Sequence, residues 1–174
     1  VSERFVASGI YQHIVENTPT GTTEEWSIHA LPDGAEMIRV DDDHRKRDGS
    51  SVLIEAWREP PLDGGQIARV DLHAFGGQSA DIEDVRSSYI IGDDTLEFGR
   101  TLDKGEREHG DMTLPAGYIL SPESLVFAGL EVGELATRGK PAPVIGYFPA
   151  FVSDHAFKPV TYLQEAMFIE EQTM

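Results

Sequence analysis

Three residues with complementary chemistry alternate along one stretch of the chain: Arg69, Asp71 and His73. If that stretch is a β-strand, their side chains share one face, because side chains alternate across a strand. Asp71 could then orient and charge His73 as a general base, and Arg69 could bind a carboxylate or stabilise an oxyanion. The sequence favours the simpler alternative of a solvent-facing polar ladder, because polar residues point outward from antiparallel sheets. The opposite face carries Ala68, Val70, Leu72 and Ala74, a set typical of a core.

Arg86 and Tyr89 are candidates on the next predicted strand, 82–91, which has no cleanly apolar face. A strand that is polar on both sides is typical of a sheet edge or of the wall of a polar cavity. Arginine and tyrosine suit a pocket that needs an apolar body with a polar tip. Either side chain could therefore bind a ligand or stabilise developing negative charge in a reaction.

Metal and cofactor chemistry has no support in the sequence. There is no cysteine, so thiolate zinc sites and thiol catalysis are excluded. The six histidines include no His-x-His or His-x3-His pair, so a metal site would require separate strands to converge. No glycine-rich loop opens a helix, and no Gly-x-Ser-x-Gly is present. We therefore predict no metal and no organic cofactor.

Aromatic side chains supply further candidate ligand contacts. Most are predicted to be core residues, but some have neighbours that point to both faces of a strand, so an aromatic ring could line a cavity. The candidate ligand-binding residues are Trp26, Trp57, Phe75, Tyr118, Phe127, Tyr147 and Phe148.

The charge balance limits the partners. The chain has 31 acidic and 14 basic residues, a net charge of −17, which repels nucleic acids and anionic lipids. No stretch approaches the 18 or so uninterrupted apolar residues of a membrane span. No basic-then-apolar signal segment opens the chain, which favours a cytoplasmic location; a periplasmic or secreted one after signal removal stays open. A homo-oligomer is compatible with the sequence.

Alternating apolar and polar residues, interrupted by turn residues roughly every ten positions, predict nine or ten strands. Among the turns, Pro32-Asp33-Gly34 is a strong hairpin signal, because proline presets one turn angle and glycine supplies a positive φ. The predicted strands are 5–15, 22–31, 35–40, 52–58, 66–75, 82–91, 95–102, 106–114, 144–152 and 160–169.

One helix is predicted over 121–136. Ser121 can cap its free N–H groups, and Pro122 suits the first helical position. Gly129 and Gly133 weaken the helix and could mark close packing on a sheet. The predicted apolar face is Leu125, Ala128, Val132 and Leu135, and the predicted stop is Arg138 with Gly139.

These elements predict a single, mainly β domain over 1–174. Sequential hairpins imply an antiparallel meander. Because strand twist accumulates, a sheet of this length is expected to curl into a barrel or half-barrel. The helix is then expected to pack on its mouth or concave face.

The meander, together with the segment 114–125 in which a strand end runs into a capped helix, resembles the lipoprotein-carrier type of half-barrel and related calycin-like pocket proteins. The resemblance implies an apolar ligand held inside a curled sheet. No motif accompanies it, so no functional residue is transferred.

Three functions remain open at this point. The first is binding of a small apolar or aromatic molecule in a cavity between the curled sheet and the helix. The second is a lyase, isomerase or cyclase that transfers protons on such a molecule without cofactor or metal, using His73 or Asp71 as the base. The third is a structural or protein-interaction domain, which predicts a packed interior and an exposed apolar patch.

Overall fold

The computed structural model describes residues 3–59, 66–76, 83–102, 104–151 and 158–166. Within them, eleven strands and one helix follow one another along the chain. They are β1 (Arg4–Val15), β2 (Thr18–Ala30), β3 (Glu36–His44), β4 (Ser50–Arg58), β5 (Ile67–Gly76), β6 (Glu83–Ile91), β7 (Thr95–Thr101), β8 (Arg107–Thr113), β9 (Ile119–Leu120), α1 (Leu125–Arg138), β10 (Ala142–Tyr147) and β11 (Val160–Gln164).

The first eight strands form one antiparallel sheet in chain order, which confirms the predicted meander. The hairpin between β1 and β2 is tight: Val15 pairs with Thr18, and both loop residues, Glu16 and Asn17, have positive φ, as a type I′ turn requires. Among the described residues, β1 and β8 pair with no further strand of this sheet. The sheet is therefore open, because a closed barrel would require β1 to pair with β8, and these two described strands do not pair.

A smaller sheet in the order β11-β10-β9 packs with α1 on one face of the large sheet, called here the inner face. The core lies between these layers, where Tyr89 and Phe98 from the large sheet meet Phe127 of α1, Ile145 of β10 and Phe148. The opposite, outer face of the large sheet is not covered by these elements. The two faces differ because one set of alternating positions in each strand is apolar and the other polar.

The helix begins later than predicted. Its N-cap is Ser124, whose side chain accepts from the Phe127 N–H, rather than Ser121. Ser121 instead donates its backbone N–H to the Ile145 carbonyl at 3.0 Å, so it belongs to the junction with the small sheet. The predicted stop is confirmed, because Gly139 takes the left-handed conformation and its N–H bonds to Leu135.

The predicted buried face of the helix is largely wrong. Leu125 and Val132 are 42% and 57% exposed, and Ala128 is also exposed. The buried positions are Phe127, Glu131 and Leu135, spaced four residues apart. Helical periodicity alone could not choose between these two stripes, and the choice follows from the large aromatic ring of Phe127 entering the core.

Several strand boundaries differ from the prediction. β3 continues through the acidic run to His44, so three aspartates predicted in a loop are strand residues. The short strand β9 was not predicted. β11 ends at Gln164, so the predicted last strand is too long at residues 165 and 166, and its positions 167–169 lie outside the described residues. No described helix is long and apolar enough to cross a membrane.

Candidate functional site

A cleft of about 690 Å³ crosses the outer face of the large sheet over β3 to β8 and is called here the outer cleft. Four of the five predicted catalytic residues line it: Arg69, Asp71, His73 and Arg86. They lie on this face because Val70 and Leu72 of β5 point into the core. The predicted polar ladder on β5 is therefore confirmed. It lies on the outer face of the sheet and not in the core between the sheet and α1.

The central carboxylate of this cleft does not orient the histidine, contrary to the prediction. Asp71 accepts two bonds from Arg69, Nε at 2.9 Å and Nη2 at 2.7 Å, and a third from Ser88 Oγ at 2.7 Å. The hydrogen bonds from Arg69 to Asp71 raise the pKa of this arginine. Arg69 also stacks on Trp57, with its guanidinium carbon 5.2 Å from the ring centroid. Arg69 is therefore held in place by two partners.

His73 instead pairs with a carboxylate on the neighbouring strand, β6. Its Nε2 lies 2.8 Å from Asp84 Oδ1, and its ring lies 5.2 Å from the ring of Phe75. A histidine held by an aspartate is the arrangement a general base requires, because the carboxylate fixes the tautomer and stabilises the imidazolium. The arrangement thus supplies a base candidate at the edge of the outer cleft, with Asp84 in the role predicted for Asp71.

One end of the outer cleft is cationic. Arg86, Thr101 and Arg107 lie side by side in register across β6, β7 and β8. Arg86 is 70% exposed, with its Nε 3.7 Å from the Asp84 carboxylate, and Arg107 forms no ion pair within the described part of the chain. Arg86 and Arg107 can bind an anion, since both guanidinium groups have N–H donors that face solvent.

A second row of residues adjoins this cationic end. Ser88, Gly99 and His109 are in register on the same strands. Gly99 has no side chain, so the floor of the cleft is open between the hydroxyl of Ser88 and the imidazole of His109. The next row, Ile90, Glu97 and Asp111, carries two carboxylates, so the positive charge does not continue beyond it on these strands.

The fifth predicted catalytic residue, Tyr89, does not line the outer cleft, so its prediction as a catalytic residue is wrong. It lies on the inner face, fully buried, and its hydroxyl donates to the Pro149 carbonyl at 3.0 Å. Phe148 packs edge-on against it with ring centroids 4.8 Å apart. Tyr89 is consequently a core residue whose one polar atom is satisfied inside the protein.

The predicted aromatic ligand contacts do not converge on one cavity. Phe127 and Phe148 belong to the core, and Trp26 packs against it. Trp57 and Phe75 contact Arg69 and His73, as described above. The side chain of Tyr147 lies outside the described residues.

Tyr118 lines a second cleft, of about 580 Å³, between α1 and the end of the large sheet; it is called here the helix cleft. Gly129 and Gly133 face it, and a Cβ at either would meet no atom within 4 Å. The predicted close packing of these glycines on the sheet is therefore wrong. Burial raises the pKa of the Tyr118 hydroxyl above its usual value.

The structure also assembles a polar cluster that the sequence reasoning did not identify. Glu24, only 1% exposed, accepts the Leu125 N–H with both carboxylate oxygens, at 3.0 and 2.9 Å. Its Oε1 lies 3.1 Å from His13 Nε2, and Asp42 is opposite it on β3. The signal available was the alternation of β2, which assigns Glu24 to the same face as Trp26.

Asp42 has a second neighbour in the cluster. Its Oδ1 lies 2.8 Å from His44 Nε2, and the interaction with Asp42 raises the pKa of His44. The two carboxylates therefore lie next to each other between the two histidines at one end of the inner face, next to the N-terminus of α1.

Comparison with known proteins adds no relative. No family model matches the chain, and no curated protein or solved structure matches it.

Proposed function

We propose that this protein binds a small organic anion, a carboxylate or phosphate joined to an apolar body, in the outer cleft. The observation that supports this most directly is the Arg86–Thr101–Arg107 row on a chain whose net charge is −17. The proposal keeps small-molecule binding as expected from the sequence and changes the location and the ligand class.

The charges of the cleft favour an anion. Its outer-face side chains include four arginines, Arg39, Arg69, Arg86 and Arg107, against two carboxylates, Glu55 and Asp71. Arg39 pairs with Glu55 at 2.8 Å and Arg69 with Asp71 at 2.7 Å. Arg86 has only the longer contact of 3.7 Å to Asp84, which also lies 2.8 Å from His73, so the positive charge available to an anion is at Arg107 and the exposed Arg86.

The polar groups beside these arginines give the anion a geometry. Thr101 supplies a hydroxyl donor between the two guanidinium groups. His109 lies in the next row, whereas the hydroxyl of Ser88 in that row already donates to Asp71. Such convergence of a few placed donors on a mainly open floor is typical of small-ligand sites. Leu53 lines the opposite part of the cleft and offers an apolar surface for the rest of the molecule.

The test is a titration of isotope-labelled protein with benzoate and with inorganic phosphate at low ionic strength, followed by NMR. We expect shifts in the amides of Ser88, Gly99 and Thr101 that saturate. Arg86→Ala and Arg107→Ala should each weaken binding by about 10- to 100-fold, because a hydrogen bond to a charged group contributes roughly 1.5–3 kcal/mol.

Arg4→Ala is the matched control, because it removes one exposed arginine from β1, on the opposite edge of the sheet. Equal affinities in the Arg86, Arg107 and Arg4 variants would show that the titration reports net charge rather than a site. That result, or the absence of saturable shifts with both anions, would overturn the proposal.

The helix cleft is the second candidate, and it corresponds in position to the cavity expected between sheet and helix. The favouring observation is the open space at Gly129 and Gly133 beside the apolar side chains of Ile67 and Leu130. A small apolar molecule is the ligand class proposed there. Gly133→Leu should fill the space and abolish binding of a hydrophobic dye, whereas anion binding in the outer cleft should be unaffected.

Proton-transfer catalysis remains the proposed alternative for the outer cleft. His73 with Asp84 would be the base, and Arg86, directly opposite His73 on β6, would stabilise negative charge on the substrate, because Arg69 is already bound to Asp71. In a substrate screen, His73→Ala and Arg86→Ala should each reduce turnover by on the order of 10²-fold or more. Unchanged turnover in both variants would exclude it.

A further inference from the structure

We propose that His13, Glu24 and Asp42 form a binding site for a divalent first-row transition-metal ion on the inner face of the sheet. One ligand atom from each residue lies within 4.8 Å of the other two. One imidazole and two carboxylates suit Zn²⁺, Mn²⁺ or Fe²⁺, which accept mixed nitrogen and oxygen ligands.

The spacing of the donor atoms agrees with a shared ion. Two ligands that each lie about 2.0–2.1 Å from a tetrahedral ion are separated from each other by roughly 3.3 Å. The distance between His13 Nε2 and Glu24 Oε1 is 3.1 Å. His13 and Glu24 therefore already have the spacing of two ligands of one ion. The Asp42 carboxylate, whose nearest ligand atom lies within 4.8 Å of both, would complete the site by rotating toward them.

The strand register explains why these residues meet. Glu24 on β2 and Asp42 on β3 are directly paired, and the partner of Glu24 on β1 is Tyr11, two residues before His13. Tyr11 and His13 are two residues apart on one strand, so they share a face, and His13 is diagonal to Glu24 across the pair of strands.

The charges of the cluster also indicate a cation. Two carboxylates directly opposite on neighbouring strands repel each other, and burial increases the energetic cost. The side chains of Glu24 and Asp42 are only 1% and 14% exposed. A divalent ion would neutralise both carboxylates at once, which neither neighbouring histidine can do alone.

Two further observations support a ligand at this position. Thr22 precedes Glu24 by two residues on the same face; it is 1% exposed, and its Oγ1 has no hydrogen-bond partner among the described residues. Glu24 is fixed by the Leu125 N–H, and Asp42 Oδ1 lies 2.8 Å from His44 Nε2. Metal-binding side chains are typically held by such outer partners.

The experiment measures Zn²⁺ binding to the whole chain after removal of bound metal with a chelator. Isothermal titration should give one tight equivalent per chain, and Co²⁺ should give a visible absorption spectrum typical of nitrogen and oxygen ligands. His13→Gln and Asp42→Asn should each weaken that equivalent by at least about tenfold, since even outer-shell substitutions at metal sites cost 10- to 100-fold. His44→Gln tests the outer partner and should weaken binding less.

His29→Gln is the matched control. His29 also lies on the large sheet and pairs with a carboxylate, Glu3, at 2.6 Å. It is on β2 five residues after Glu24, so strand alternation places it on the opposite face from the cluster. Its variant should retain the tight equivalent. The proposal is overturned if the unmodified chain binds no tight Zn²⁺, or if the His13 and Asp42 variants bind it as the His29 variant does. Circular dichroism of each variant confirms that it is folded, and anion binding in the outer cleft is an independent measurement.

Discussion

Removal of the Glu24 carboxylate should detach the N-terminus of α1 from the sheet. This side chain connects β2 to a backbone N–H 101 residues later in the chain, at Leu125. The N-terminus of a helix carries unpaired N–H groups and a partial positive charge, so a buried carboxylate is a favourable partner for it. The appropriate perturbation is Glu24→Ala, measured in chelator so that no metal contributes.

The expected loss follows from three effects at this position. The charge-assisted bond to the Leu125 N–H contributes roughly 1.5–3 kcal/mol. The one buried methylene that alanine lacks contributes about 0.8 kcal/mol. Relief of repulsion from Asp42, directly opposite, offsets roughly 0.2–1 kcal/mol of this loss. The free energy of unfolding should therefore fall by about 1.3–3.6 kcal/mol, and the melting temperature by roughly 3–14 °C for a domain of this size.

Urea denaturation gives the free energy, and amide hydrogen exchange locates the effect. We expect faster exchange of the first-turn amides of α1 in the Glu24 variant. Glu25→Ala is the matched control, because Glu25 is the adjacent residue on the opposite, exposed side of β2. A difference between the two variants below about 0.5 kcal/mol would refute the reasoning, since that is within the usual effect of an exposed substitution.

Three further substitutions test the packing of the fold. Tyr89→Phe removes the bond to the Pro149 carbonyl and should lower the free energy of unfolding by about 1–3 kcal/mol, because the acceptor is left buried and unpaired; an unchanged urea midpoint would contradict this. Gly76→Ala should cost on the order of 1–3 kcal/mol in the same assay, since Gly76 has φ +87 and an added Cβ would overlap the Gly49 carbonyl. Gly129→Ala should instead raise the melting temperature, because alanine is favoured in helices by about 0.5–1 kcal/mol and nothing lies within 4 Å of the added carbon; a lower melting temperature would show that the position is not open.

The strand alternation was enough to predict the layers of the large sheet. Val70 and Leu72 alternate with Asp71, and a sheet with one covered face admits only one side for each set. The turn residues likewise predicted the hairpins, as at Gly34, which takes φ +88. Both inferences hold because they depend on neighbours within a few residues.

The partners of the polar side chains could not be predicted in the same way. His73 has Asp71 two residues away on its own strand, yet its carboxylate is Asp84 on the next strand. Asp71 is already bound to Arg69 and Ser88. Which pairs form depends on strand register and on competition among several charges, and neither is encoded in local spacing.

The start of α1 shows most clearly what the sequence determined and what the tertiary structure decided. Ser121 and Ser124 are both suitable caps, so the sequence determined that a helix begins in this segment. The Ile145 carbonyl of the small sheet accepts the N–H of Ser121. The Glu24 carboxylate of the large sheet accepts the N–H of Leu125. The first turn therefore lies where two distant strands satisfy its backbone, because every buried N–H must find a partner and only the folded chain brings these partners near.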